Sequence, residues 1–154
     1  QMEWDFWTGG AARNTLPERA QANVANVERV FNPIREAVVP FTWESPVAEG
    51  ITALGAPGHT PGMTIFDITS GNDRLLYIAD VVNHPAFFVR NPDWAAVFDM
   101  DPEQAKQTRH RVLGMLADTG TACAGFHVPF PAIGYIERDG DGFRHVPAQW
   151  MAAV

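Results

Sequence analysis

Two spacings of apolar residues divide the chain. Between Pro17 and about Ala37, Val24, Val27, Val30, Phe31 and Ile34 recur at intervals of three and four, which predicts a helix with one apolar face. Pro17 suits a first helical turn, where the missing N–H costs nothing, and Pro33 is expected to kink or split the helix. From Ile51 the spacing shortens to that of strands. Ile51–Leu54, Met63–Thr69 and Arg74–Ala79 are predicted strands, the last two joined by the turn residues Ser70-Gly71-Asn72-Asp73. Pro102–Asp118 reads as a second helix, with Ala105, Val112, Leu113 and Leu116 inward and Gly120 beyond its end. Thr121–Ala124 is a short strand, and Ala132–Arg138 pairs with Phe143–Val146 around Asp139-Gly140-Asp141-Gly142. Pro40–Pro46 is expected to be a turn-rich connection, and Gly9-Gly10 a turn after the aromatic run Met2–Trp7. Helix, strands, helix, strands, without internal repeats, fits a layered α/β or α+β domain.

Composition narrows the partners more than the chemistry. The 154 residues suit one domain, and 46% hydrophobic with 19% charged residues is an ordinary soluble balance. A net charge of -7 argues against nucleic acid, which needs clustered Lys and Arg. Apolar runs such as Ala95–Phe98 are far too short to span a bilayer, so no membrane partner is expected. The single cysteine, Cys123, excludes an internal disulfide and reads as a packed structural thiol. No signal peptide is visible, but the sequence opens on Gln1 rather than Met, so a cytoplasmic and a periplasmic or secreted location both stay open.

Three potential metal ligands follow predicted buried strands. His59 sits in the tight loop Gly58-His59-Thr60-Pro61-Gly62, Asp80 follows Arg74–Ala79, and His127 follows Thr121–Gly125. Loops at strand ends collect functional groups on a rigid platform. Two imidazoles and a carboxylate suit Zn²⁺ or a similar divalent ion. Each residue alone also has a plainer reading: a surface or capping histidine, a turn aspartate, a satisfied core histidine.

In context, Ala56-Pro57-Gly58-His59-Thr60-Pro61-Gly62 resembles the third motif of the metallo-β-lactamase superfamily. Ile78-Ala79-Asp80 resembles the fourth and Gly125-Phe126-His127 the fifth, in the family's order. Asp5-Phe6-Trp7, Asp80-Val81-Val82-Asn83-His84 and Phe130-Pro131-Ala132-Ile133-Gly134 are similar to the branch of methyl parathion hydrolase-like and lactonase-like enzymes. The resemblance implies that residues 1–154 are the C-terminal part of a single α+β domain, half of a four-layer αββα sandwich. It implies that His59 binds one metal, His127 a second, and Asp80 bridges them. It further implies two Zn ions per intact domain, with Mn, Fe or Co as alternatives, and a metal-bound hydroxide attacking an ester, lactone or phosphotriester.

The sequence departs from the family at one decisive point. Its five histidines, His59, His84, His110, His127 and His145, contain no pair two residues apart, so the His-x-His-x-Asp-His run is absent. The family places that run before the segment matching Met2–Trp7, and Met63 stands where a second histidine is common. The expected partners are therefore a small-molecule substrate and either the missing N-terminal half or a second copy of the chain, with the metal site open to being unfilled in this chain alone. The alternative to the hydrolase is a non-catalytic truncated half-domain that folds as an oligomer. Among the other residues, His84 is a candidate for substrate contact or proton transfer and Trp7 for an apolar wall of a substrate pocket, with Phe87 and Phe88 as further pocket walls. His110 and His145 are expected on the surface, and Asp99 and Asp101 as carboxylates serving the helix that opens at Pro102.

Overall fold

The structure, a computed structural model, describes residues 1–150. It divides into two compact units, Gln1–Thr42 and the chain from Trp43 onward. The first unit is helical: α1 (Met2–Thr8), α2 (Ala11–Thr15) and α3 (Gln21–Phe31). The aromatic run thus forms a helix. Trp4 packs edge-on to Phe31 with centroids 5.6 Å apart, and the Arg35 guanidinium lies over its ring. The long predicted helix is divided, with 3₁₀ turns at Glu18–Ala20 and Asn32–Ala37 on either side of α3. Pro33 explains the second, since it cannot donate to the helical ladder. Of the predicted apolar face only Val24 is fully buried, while Val30, Phe31 and Ile34 are exposed.

The second unit is a seven-stranded sheet in sequence order: β1 (Ser45–Ala48), β2 (Ile51–Gly55), β3 (Thr64–Ser70), β4 (Asp73–Tyr77), β5 (Ala122–Ala124), β6 (Ile133–Asp139) and β7 (Gly142–Pro147). β1 falls within and beyond the expected turn-rich stretch. It pairs antiparallel with β2 despite Pro46, as an edge strand tolerates a missing donor. All pairings are antiparallel except β4 with β5, which is parallel and is connected through α4 (Pro102–Thr119). The α+β reading is borne out.

Register assigns the two faces. Residues directly opposite one another share a side, so Asp67, Leu76, Cys123 and Gly134 lie on one face. With Ile65, Ile136 and Phe143 on that same side, Leu76 and Cys123 meet Val112, Leu113 and Leu116 of α4 in the main core. Burial pushes the Cys123 thiol up to about 11, so it is an inert packing group as expected. The opposite face carries Ile51, Ile68, Leu75 and Ala122 in one row and Phe66, Tyr77, Ala124 and Ile133 in the next. These eight are only partly buried or exposed.

His145 corrects an expectation. Its ring is half-buried rather than on the strand surface, because Gly134 on the neighbouring strand leaves room for it. A Cβ on Gly134 would stand 2.3 Å from His145 Nε2 and 2.5 Å from the Val146 carbonyl. Among the described residues, His145 Nε2 is buried without a hydrogen-bond partner. Desolvation therefore lowers its pKa from the ordinary 6.5. The unfolded chain takes up this proton more readily than the folded one, so acid favours unfolding. Stability is expected to fall as pH drops through and below 6.5, and His145→Gln should lose that part of the slope in denaturant titrations at neutral and mildly acid pH. An unchanged slope would show that the ring is accessible to solvent.

Candidate active site

Strand direction brings the three candidate ligands to one edge of the sheet. β2 and β4 are each antiparallel to β3, and β5 is parallel to β4, so β2, β4 and β5 run the same way. The loops after their C-terminal ends carry His59, Asp80 and His127 respectively.

Each loop is pinned separately. The His59 loop lies against the start of α4: Asp101 N–H donates to the Gly58 carbonyl, Met100 N–H to the His59 carbonyl, and Thr108 Oγ1 to the Pro57 carbonyl at 2.6 Å. Gly58 has φ +129°, and a Cβ there would come within 2.3 Å of Ala105 N, so glycine is required both by conformation and by space. β4 stops at Tyr77, and Val81 N–H then closes a turn on the Ile78 carbonyl. That turn holds Ala79 at φ 45°, a left-handed conformation that costs a non-glycine residue about 1–2 kcal/mol, immediately before Asp80. A third turn, with Val128 N–H on the Gly125 carbonyl, presents His127.

The structure brings His59, Asp80 and His127 together around the carboxylate. His59 Nε2 is 3.4 Å from Asp80 Oδ2, and His127 Nε2 is 3.5 Å from Asp80 Oδ1. The two oxygens of one carboxylate thus face two different imidazoles. Among the described residues, no three His, Cys, Asp or Glu converge as a complete cation cage. What exists is two half-sites, each offering one imidazole nitrogen and one carboxylate oxygen. Those donors fit a borderline divalent ion, which in catalytic sites takes three protein ligands and leaves one position open. The fit is therefore chemical and incomplete in number. Exposed aromatic rings flank both histidines, Phe98 edge-on to His59 at 5.8 Å and Phe126 edge-on to His127 at 5.1 Å.

Asp99 was expected to serve the N-terminus of α4. Asp101 does that, accepting from Gln104 N–H. Asp99 instead turns inward, with Oδ1 3.0 Å from His59 Nδ1 and Oδ2 accepting from Ala96 N–H. Its side chain is 1% exposed, as is that of Arg109, whose Nη2 lies 3.6 Å from Asp99 Oδ2. Arg109 also donates to the carbonyls of Val81, Pro92 and Trp94. Burial lowers the guanidinium pKa, and the negative charges of Asp99 and Asp93 oppose that shift. Beside two other basic-type residues Arg109 resembles a solvent-facing position. Its spacing from Ala105, Val112, Leu113 and Leu116 nevertheless places it on the apolar face of α4, which is the signal that marks it.

The remaining candidates make other contacts. His84 is exposed and packs against Phe87 at 4.8 Å, and Phe87 in turn stacks near Trp94. Phe88 lies under the Arg109 guanidinium, 4.9 Å from its centroid. His110 is exposed, as expected, and pairs with Asp93. Trp7 lies on α1 of the helical unit, where its Nε1 donates to Glu3.

Solved structures resemble the chain over nearly its whole length. AidC, a dizinc quorum-quenching lactonase solved with a product, is 28% identical with a TM-score of 0.86, covering 98% of this chain and 54% of its own. The hydrolase AbOPH of the β-lactamase superfamily is 25% identical with a TM-score of 0.87 and the same coverage. A probable metal-dependent hydrolase from Staphylococcus aureus matches the fold over 77% of the chain, at 19% identity and a TM-score of 0.61. No family model and no curated protein matches. The chain spans about half the length of the first two structures. It has the fold of the corresponding part of these metallo-β-lactamase-fold hydrolases.

Gly58→Ala is expected to cost about 2–3 kcal/mol, because backbone on both sides must move. Gly71→Ala, also at positive φ but with nothing within 4 Å of the added Cβ, should cost only about 1–2 kcal/mol. Denaturant midpoints of the two variants check this, and equal losses would mean that the loop–helix contact is not tight.

Proposed function

We propose that this chain contributes part of the dinuclear metal centre of a hydrolase acting on an ester, lactone or phosphotriester. In this reading His59 serves one ion, His127 the other, and Asp80 bridges them. The supporting observation is the carboxylate of Asp80, whose two oxygens face the Nε2 atoms of different histidines. Zinc is the default, with manganese, iron and cobalt as alternatives. A bound divalent pair supplies Lewis acidity toward the scissile bond and lowers the pKa of water toward neutrality.

The chain's own residues then have distinct tasks. His59, its Nδ1 turned to Asp99, presents Nε2 toward Asp80. Asp80 spaces the two histidines. Phe98 and Phe126 offer apolar walls beside them, the usual surroundings of a small-molecule site. With two donors on each side, the centre needs further ligands from a complementary segment bearing the His-x-His-x-Asp-His run. The apolar second face of the sheet suits cover by that segment or by a second copy of the chain. The second copy is the basis of another reading, a non-catalytic half-domain that assembles as an oligomer, and the incomplete donor count favours it for the chain alone.

The test is zinc titration of the purified, metal-stripped chain followed by NMR, with lactone and phosphotriester turnover measured alongside. Weak binding that perturbs His59, Asp80 and His127 together, is abolished in Asp80→Ala and gives no turnover is the expected result. Two tightly held ions per chain with turnover would overturn the incompleteness of the site. No zinc-dependent change at these three residues would overturn the metal centre itself and leave the oligomeric half-domain.

A further inference from the structure

We propose that Asp99 and Arg109 are a positioning pair that fixes the tautomer of His59 and holds its loop in register with the Asp80 loop. The metal-donor consequence rests on the function proposed above, whereas the tautomer stands on the geometry of the chain alone. His59 lies between two carboxylates, Asp99 Oδ1 at 3.0 Å from Nδ1 and Asp80 Oδ2 at 3.4 Å from Nε2. Asp99 is the nearer and is almost wholly buried, whereas Asp80 is partly exposed, so the proton resides on Nδ1. That leaves a lone pair rather than a proton on Nε2, the nitrogen on the Asp80 side. A histidine whose second nitrogen donates to a carboxylate is thereby oriented and made a better ligand.

Arg109 makes the arrangement rigid. Its guanidinium faces Asp99 and binds the carbonyl of Val81, the residue after Asp80. One buried side chain therefore connects to His59 through Asp99 and to Asp80 through the adjoining backbone. Its two further bonds, to the Pro92 and Trp94 carbonyls, anchor the segment that leads to Asp99. A lysine keeps the charge but cannot reach several acceptors with a planar fork.

The same geometry determines what Asp99→Asn does. Both groups around Oδ2, the Ala96 N–H and the Arg109 guanidinium, are donors. The amide oxygen must take that position, and the amide NH₂ then occupies the Oδ1 position facing His59. It donates to Nδ1, so the imidazole proton moves to Nε2, where it donates to Asp80 and the Nε2 lone pair is lost as a metal donor.

Long-range ¹H–¹⁵N correlation spectra of the metal-free, ¹⁵N-histidine-labelled chain read this directly in alkaline buffer, with His59 assigned from its loss in His59→Gln. The wild type is expected to carry its proton on Nδ1 and Asp99→Asn on Nε2. Zinc titration should show Asp99→Asn weakened by about 10–100-fold, and Arg109→Lys weakened with the Nδ1 proton retained. A wild-type proton on Nε2, or an Asp99→Asn variant with unchanged tautomer, overturns the proposal. Should Asp99→Asn fail to fold, the wild-type tautomer and the Arg109→Lys titration still decide it. A correct tautomer switch in a chain that never binds zinc would leave the pair standing and remove the metal centre instead.

Discussion

The buried ion pair between Arg109 and Asp99 is the constraint on which the site edge depends. Taking both charges out of water is expensive, and their separation of 3.6 Å is an ion pair rather than a hydrogen bond. The guanidinium is compensated mainly by three carbonyls, from Val81, Pro92 and Trp94. Such a pair adds little net stability over a well-packed apolar alternative, yet removing one partner costs about 3–5 kcal/mol. Its effect is therefore chiefly one of specification. The Asp80 loop, the Pro92–Asp99 segment and α4 must occupy one relative arrangement, because any other strands a charge in the interior.

The sheet supplies the frame for that arrangement. Three strands that run the same way open their loops on one edge, and α4, packed over β6 and the central strands, forms the wall behind. Gly58 lets the His59 loop touch the first turn of α4, where a side chain would collide with backbone. Ala79 accepts an unfavourable conformation in the turn that aims Asp80. The cost of that turn falls on the core: Ile78 and Val81 on either side are both buried in the main cluster.

Much of this was readable from the sequence, for physical reasons that also explain what was not. The central and C-terminal strands and α4 follow from local periodicity, and the loops that bring His59, Asp80 and His127 to one edge from glycine and proline just beyond a buried strand. β1 escaped notice because Pro46 marks a break in any strand except one at an edge. The apolar stripe on α3 remains largely exposed, since spacing reports amphipathic character but not what covers it. His145 reads as a strand-surface residue because nothing local shows that its cross-strand neighbourhood includes Gly134. Asp99 and Arg109 were missed for a similar reason: an Asp before a helix and an Arg within one have common local roles, and only the fold joins residues 59, 80, 99 and 109.

The two halves of the candidate centre are consequently unequal. His59 is backed by a carboxylate that is itself held by backbone and guanidinium, and its side chain is 20% exposed. His127 is 41% exposed, with the half-exposed Asp80 at 3.5 Å and Phe126 beside it. Groups locked by surrounding packing keep their geometry without a ligand, whereas mobile ones must be ordered when it binds. The folded chain thus already carries the ordering of the His59 side in its own core. The His127 side is more open to solvent and has no such buried carboxylate among the contacts described for it.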